Sequence, residues 1–222
     1  MAKTQEKPAV VEKSPAPVAQ SDIQAFLATL IKSKQLPAHI KTVEEAFTVA
    51  QMGKELGFPT MQSFHYIIPI QGKLSLSAKA IGALLRKGGV QYTTIEDGVW
   101  VYQDGTTSTI IKSTDEGTRP IDQRTTIMFI RDGMEEKCSF TWKDAEKQGL
   151  TTKDNWKRMP KEMLYARCIA KGANRIGSDL LLGLYAVEEL ADSFSINESH
   201  ITRNEDGSIA AIIEDTTHTE VK

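Results

Sequence analysis

Residues 155–177 read NWKRMPKEMLYARCIAKGANRIG, and the fold turns on how this stretch is oriented. Pro160 stands where the first turn of a helix accepts proline. Glu162 follows where a carboxylate suits the positive end of the helix dipole, so the spacing predicts a helix that begins there. At about 100° per residue two sides separate. Tyr165, Ala166, Ile169, Ala170, Ala173 and Ile176 make an apolar stripe for a core, while Arg167, Lys171 and Arg175 follow one another one turn apart on the other side. Like charges at that spacing disfavour a helix by roughly 0.2–0.5 kcal/mol per pair. The places where a compensating acid would stand hold Met163 and Leu164. The sequence therefore predicts that the row of cations meets an anion from outside the helix.

The remainder of the chain sets the context. With 222 residues, one domain with a substantial core and two tails is expected. The formal net charge of -2 hides an asymmetry. Residues 1–20 carry three lysines against two glutamates, and residues 188–222 carry nine acids against two bases, which leaves residues 21–187 at +4. A mildly basic body beside an acidic tail suits a polyanionic partner for which the tail competes. Cys138 and Cys168 show no metal-type spacing, and no segment reads as a signal peptide or a membrane span. A cytoplasmic protein with reduced, buried thiols is expected.

Residues 1–20 mix Pro, Ala and charge without period and are expected to be a disordered arm. The core domain is expected over 21–187, with 188–222 as an acidic tail. Ser21 caps an amphipathic run through Ile31, and Thr42 with Glu45 matches the capping-box spacing of a second helix that Gly57 closes. FHYIIPIQGKLSLS, residues 64–77, reads as two strands around Gln71-Gly72, with Phe64 and Tyr66 inward and His65 outward. A helix then runs to the paired glycines 88 and 89. The β-branched runs that follow are broken by Asp97-Gly98, Asp104-Gly105 and Asp132-Gly133, each expected to turn a hairpin. One more hairpin is expected around Asp206-Gly207. The resulting class is α+β: a small antiparallel sheet of hairpins packed with helices.

Signs of catalysis are missing from the sequence. No phosphate-cradling glycine motif follows a strand, the four histidines lie far apart, and the carboxylate pairs Glu96-Asp97, Asp115-Glu116 and Glu135-Glu136 fall at expected turns as solvated surface. Neither an enzyme nor a cofactor is expected.

The stretch from Asn155 to Leu190 resembles the signature of the phage single-strand annealing proteins of the Red-beta/RecT superfamily. Its Trp156, Pro160, Met163, Leu164, Arg167, Gly183, Tyr185 and Glu188-Glu189 occur in the family's order. Residues 53–89, GKELGFPTMQSFHYIIPIQGKLSLSAKAIGALLRKGG, look like the family's early region of helix, hairpin with a Gly-Lys turn, and helix. Asn174 departs from the pattern by standing where related helices carry arginine, with Arg175 one position on. The short segment after Tyr185 leads us to expect that the family's larger C-terminal partner-binding module is missing.

The resemblance implies ATP-independent binding of single-stranded DNA, annealing of complementary strands in phage-type recombination, and a homo-oligomer in ring or filament form. A phage exonuclease or a host single-strand-binding protein would be the partner, and no membrane is involved. A passive single-stranded DNA-binding protein or recombination adaptor fits the same residues. Candidate nucleic-acid contacts are Lys73 and Lys79 near the hairpin, Trp156, Lys161, Arg167, Lys171 and Arg175. Each has a plain structural counterpart: Trp156 stacks on a base or staples the helix to the core, and the cations meet phosphates or simply face water. Arg86 and Lys87 end a helix, where the dipole alone accounts for them.

Overall fold

A computed structural model describes residues 20–110, 120–193, 201–203 and 209–212. The expected arm up to residue 19, the pair Asp115-Glu116 and the turn at Asp206-Gly207 lie outside the described residues. The chain is α+β, as its composition of elements predicts.

Helix α1 (Gln20–Lys32) packs on α2 (Val43–Glu55). The capping box forms at α2: Glu45 N–H donates to Thr42 Oγ1 at 3.1 Å, and Thr42 N–H donates to Glu45 Oε2 at 3.1 Å. The next segment corrects the expected strand. Residues Thr60–Tyr66 form helix α3, with Pro59 at its N-cap, and extended backbone starts only at Ile67. Phe64 is buried and His65 exposed, as expected, but by helical geometry. Tyr66 instead meets Phe58 edge-on at 5.0 Å between centroids. Gly53 allows α2 and α3 to approach, since a Cβ there would lie 1.8 Å from Ser63 Oγ.

Strands β1 (Ile67–Ile70) and β2 (Lys73–Leu76) form the expected hairpin. Both turn residues have positive φ, 46° at Gln71 and 74° at Gly72, as the tightest two-residue turn demands. Helix α4 (Ala78–Lys87) follows, its first turn capped by Ser77. The second sheet contains β3 (Gln91–Val101), the short β4 (Thr107–Ser108), β5 (Asp122–Arg131) and β6 (Met134–Thr141) in the order β4-β3-β5-β6. Turns at Asp104-Gly105 and Asp132-Gly133 connect strands as expected. Asp97-Gly98 does not: it lies inside β3, where the register with β5 shifts, so it forms a bulge. Gly98 N–H donates to Thr125 Oγ1 at 3.0 Å, and Gln123 Nε2 donates to Gly98 O at 2.9 Å. These bonds hold the bulge closed as part of the strand.

Helices α5 (Trp142–Lys147) and α6 (Asp154–Arg158) lead into α7 (Pro160–Ile176), which lies across β5, β6 and β3. Gly172 lets the helix approach the sheet, because a Cβ there would meet the Phe129 ring at 2.1 Å. After a single 3-10 turn at Ser178–Leu180, β7 (Tyr185–Ala186) joins β2 in parallel, pairing Tyr185 with Ser75 and Ala186 with Leu76. The small sheet β1-β2-β7 is therefore mixed, whereas an antiparallel one was expected. Helix α8 (Val187–Ser193) buries Val187, Leu190 and Ala191 against Ile68 and Ile70 of β1. The expected boundary between core and acidic tail at 187/188 falls within this helix and is corrected to its far side. Beyond it, β8 (Ile201–Arg203) and β9 (Ile209–Ile212) pair antiparallel.

Candidate nucleic-acid interface

Of the seven candidate contacts, Trp156 and Arg167 are buried, and Lys161, Lys171 and Arg175 each meet a named partner within the fold. Trp156 is 1% exposed, wedged between Phe140 at 6.2 Å and Trp142 at 6.0 Å between ring centroids. It is a core residue, and its reading as a stacking platform is corrected. The staple alternative describes it: the residue that opens α7's approach fixes the helix to the sheet.

Arg167 is 9% exposed. The middle of α7 is buried nearly all round, with Met163, Leu164 and Cys168 adding a second apolar side to the expected stripe. Burial, the largest influence, pulls the Arg167 guanidinium below its ordinary pKa, while the charges of Glu188 and Glu189 on α8 act in the opposite sense. Glu188 is itself buried. Arg167 thus lies inside the protein, where the acids of α8 act on its charge.

The other two cations of the row find their partners on β6. Lys171 Nζ donates to Ser139 O at 3.0 Å, a backbone carbonyl of a strand that pairs on one side only. Arg175 pairs with Glu136 Oε1 at 2.5 Å. The bond from Arg175, the chief influence, holds the Glu136 carboxyl below its ordinary value. Glu136 accordingly lies on a strand rather than at a turn, in an ion pair that stays at the surface. Glu96 is corrected likewise: Arg124 donates to it twice, at 2.8 and 2.5 Å, and Thr126 Oγ1 once at 2.6 Å. Burial raises its pKa, but these donors together outweigh that and hold it low. Of the row expected to meet an anion from outside the helix, Arg175 pairs with Glu136, Arg167 lies within the influence of Glu188 and Glu189, and Lys171 meets a carbonyl.

Lys73, Lys79 and Lys161 remain at the surface. Lys73 opens β2 beside the hairpin turn and Lys79 lies in the first turn of α4, both exposed. Lys161, in the first turn of α7, pairs with Asp97 Oδ2 at 2.8 Å, with both side chains about half exposed. The two helix-end cations behave differently from expectation and from each other. Lys87 Nζ donates to Leu56 O at 3.1 Å and Gly57 O at 2.7 Å, closing the end of α2 rather than its own helix. Arg86 lies over the Tyr92 ring, 4.7 Å from its centroid.

Sequence reading missed this last contact and its continuation. Tyr92 of β3 is hydrogen-bonded through its side chain to Tyr165 of α7, and burial followed by that neighbour pushes the Tyr165 phenol up to about 12. One turn before Tyr165 stands Lys161. Arg86, Tyr92, Tyr165 and Lys161 thus form one strip across α4, β3 and α7. No local pattern announces it, because its four members come from three elements.

Among the described residues no group of three or more His, Cys, Asp and Glu side chains is placed to hold a metal ion, and no helix is long and apolar enough to cross a membrane. No protein family, no curated protein and no solved structure matches this chain.

Proposed function

We propose that this protein binds single-stranded DNA and anneals complementary strands without nucleotide hydrolysis. One observation carries the proposal: the two stretches that bear the resemblance, residues 53–89 and 155–190, fold onto each other as one unit. β2 of the first pairs with β7 of the second, α4 lies against α7, and α8 packs on β1. Motifs that meet across more than a hundred residues of chain support a shared scaffold rather than two chance likenesses.

The buried members of the signature, Trp156, Met163, Leu164 and Arg167, then serve as its frame. Phosphate contact falls to exposed cations, with Lys73, Lys79 and Lys161 as the candidates. Such contacts release counterions regardless of sequence and leave base edges open to find a complement, which is what annealing any strand requires. The self-association and the nuclease or single-strand-binding partner implied by the resemblance belong to the same proposal.

Mixing two complementary dye-labelled strands at low salt, without nucleotide, tests it. Pairing faster than that of the strands alone is the expected result, and unaccelerated pairing overturns annealing. Binding of one strand without faster pairing of two would establish the passive binder instead.

A further inference from the structure

The geometry points to the strip formed by the end of α4, the edge of β3 and the first turns of α7 as the seat of a single DNA strand. Arg86 and Lys161 meet phosphates, Tyr165 offers its ring to a base, and Tyr92 positions Arg86. This inference rests on the strand-binding reading above and names its surface.

The strip differs from the row of cations further along α7. Arg167, Lys171 and Arg175 have their charge taken up by α8 and β6. Arg86 is exposed, and its contact is with an aromatic ring rather than an acid. A guanidinium laid flat on a ring keeps its second face and its donors available, the form in which arginine meets bases and phosphates. Tyr92 is held from below in turn: its hydroxyl lies 2.6 Å from where a Cβ on Gly82 would stand, and its ring leans on Phe129 at 6.0 Å. Arg86 therefore rests on a fixed support.

At the other end Lys161 is presented by the β3 bulge. Its stem crosses Gly98, where a Cβ would come within 2.6 Å of Lys161 Cγ, and its ammonium meets Asp97. An exposed pair of this kind is worth little in water, so a phosphate displaces the carboxylate easily. Between the two cations Tyr165 is half-buried, and its hydrogen bond to Tyr92 fixes the ring before any base arrives. A prefixed ring loses little freedom on stacking. Beside the strip, β4 pairs only with Trp100 and Val101, so the outer edge of β3 from Gln91 to Glu96 has no partner strand among the described residues.

The test is fluorescence anisotropy of a dye-labelled thymidine oligomer with the full chain, over a series of salt concentrations. The double variant Arg86→Ala, Lys161→Ala should bind at least tenfold more weakly. Its log–log salt slope should be shallower by about 1.4, from two contacts at about 0.7 each on a single strand. Tyr165→Leu should bind about tenfold more weakly with the slope unchanged, while Tyr165→Phe, which keeps the ring but loses its bond to Tyr92, should fall between Leu and the wild type. Asp97→Asn should tighten binding severalfold, a change that a purely structural role would not produce. Lys143→Ala with Lys147→Ala on α5 is the control and should alter nothing.

A charge-deleted variant that keeps the wild-type slope overturns the strip while leaving the strand-binding reading in place. A wild-type chain that does not bind the oligomer overturns both. Variants that change sedimentation but not oligomer binding would assign the β3 edge to another protein chain, and overturn the strip as well. Should Tyr165→Leu lower the melting temperature, the charge variant decides, since both of its side chains are at the surface.

Discussion

The two halves of α7 carry the same kind of residue and use it in opposite ways. From Arg167 to Arg175 each cation meets the fold: Arg167 is buried near the acids of α8, Lys171 lies half-buried on a carbonyl of β6, and Arg175 makes a surface pair with Glu136 of β6. Lys161 on the same helix reaches to β3 instead, where it meets the exposed carboxylate of Asp97. The lesson lies in what surrounds a charge rather than in its spacing. Met163, Leu164 and Cys168 flank the inner row, so that side of the helix is apolar between its cations and is buried with them. Lys161, in the first turn, is exposed and lays its stem across Gly98.

Arg167→Ala puts the heaviest load on this contrast. Removing one partner from a buried charged contact leaves Glu188 uncompensated, and a loss of about 3–5 kcal/mol in urea unfolding is expected. Trp156→Ala should lose a similar amount, about 3–5 kcal/mol, through the cavity left between Phe140 and Trp142. Losses below about 1 kcal/mol in both, with weaker DNA binding, would return these residues to the surface role. Gly172→Ala comes next. Its added methyl collides with the Phe129 ring, and about 1–3 kcal/mol of destabilisation is expected without a change in salt dependence.

Acid probes the inner half more gently. Glu136 and Asp179 have folded pKa values below their ordinary 4.5 and 3.8, each chiefly because an arginine donates to it, Arg175 and Arg131 respectively. A carboxylate depressed in this way stabilises the fold above its unfolded pKa and loses that contribution as pH falls through the folded value. The melting temperature should therefore hold above about pH 5 and fall below it. In Glu136→Gln the decline should be shallower, and an identical decline would mean that the pair on β6 contributes nothing. The smallest effect concerns the thiols. Burial pushes Cys168 up to about 12 and Cys138 upward as well, so a thiol reagent at neutral pH should modify neither until the chain unfolds. Prompt labelling of Cys168 would show that α7 separates readily from β6.

What the sequence made legible was local. The capping box at Thr42, the paired positive-φ turn at Gln71-Gly72 and the start of α7 at Pro160 each depend on a few adjacent residues, and each is where it was expected. Asp97-Gly98 carries the same dipeptide signal as Asp132-Gly133 yet makes a bulge. The partners that decide this, Thr125, Gln123 and Lys161, lie 25 or more residues away. The segment Phe64–Tyr66 fits helix and strand alike, and Pro59 tips it to helix. The site was least legible. The partners of the cation row come from β6 and α8, far along the chain, and the Arg86–Tyr92–Tyr165 strip exists only once three elements meet.

The parallel bridge between Ser75 and Tyr185 also bears on how the chain is made. During synthesis β2 emerges with its outer edge open, and that edge stays open until the ribosome has passed Ala186. Closing so long a loop is slow relative to the hairpins on either side. The nascent chain therefore spends most of its elongation with an apolar strand in need of a cover, which makes this short bridge the step at which a chaperone would have the most to protect.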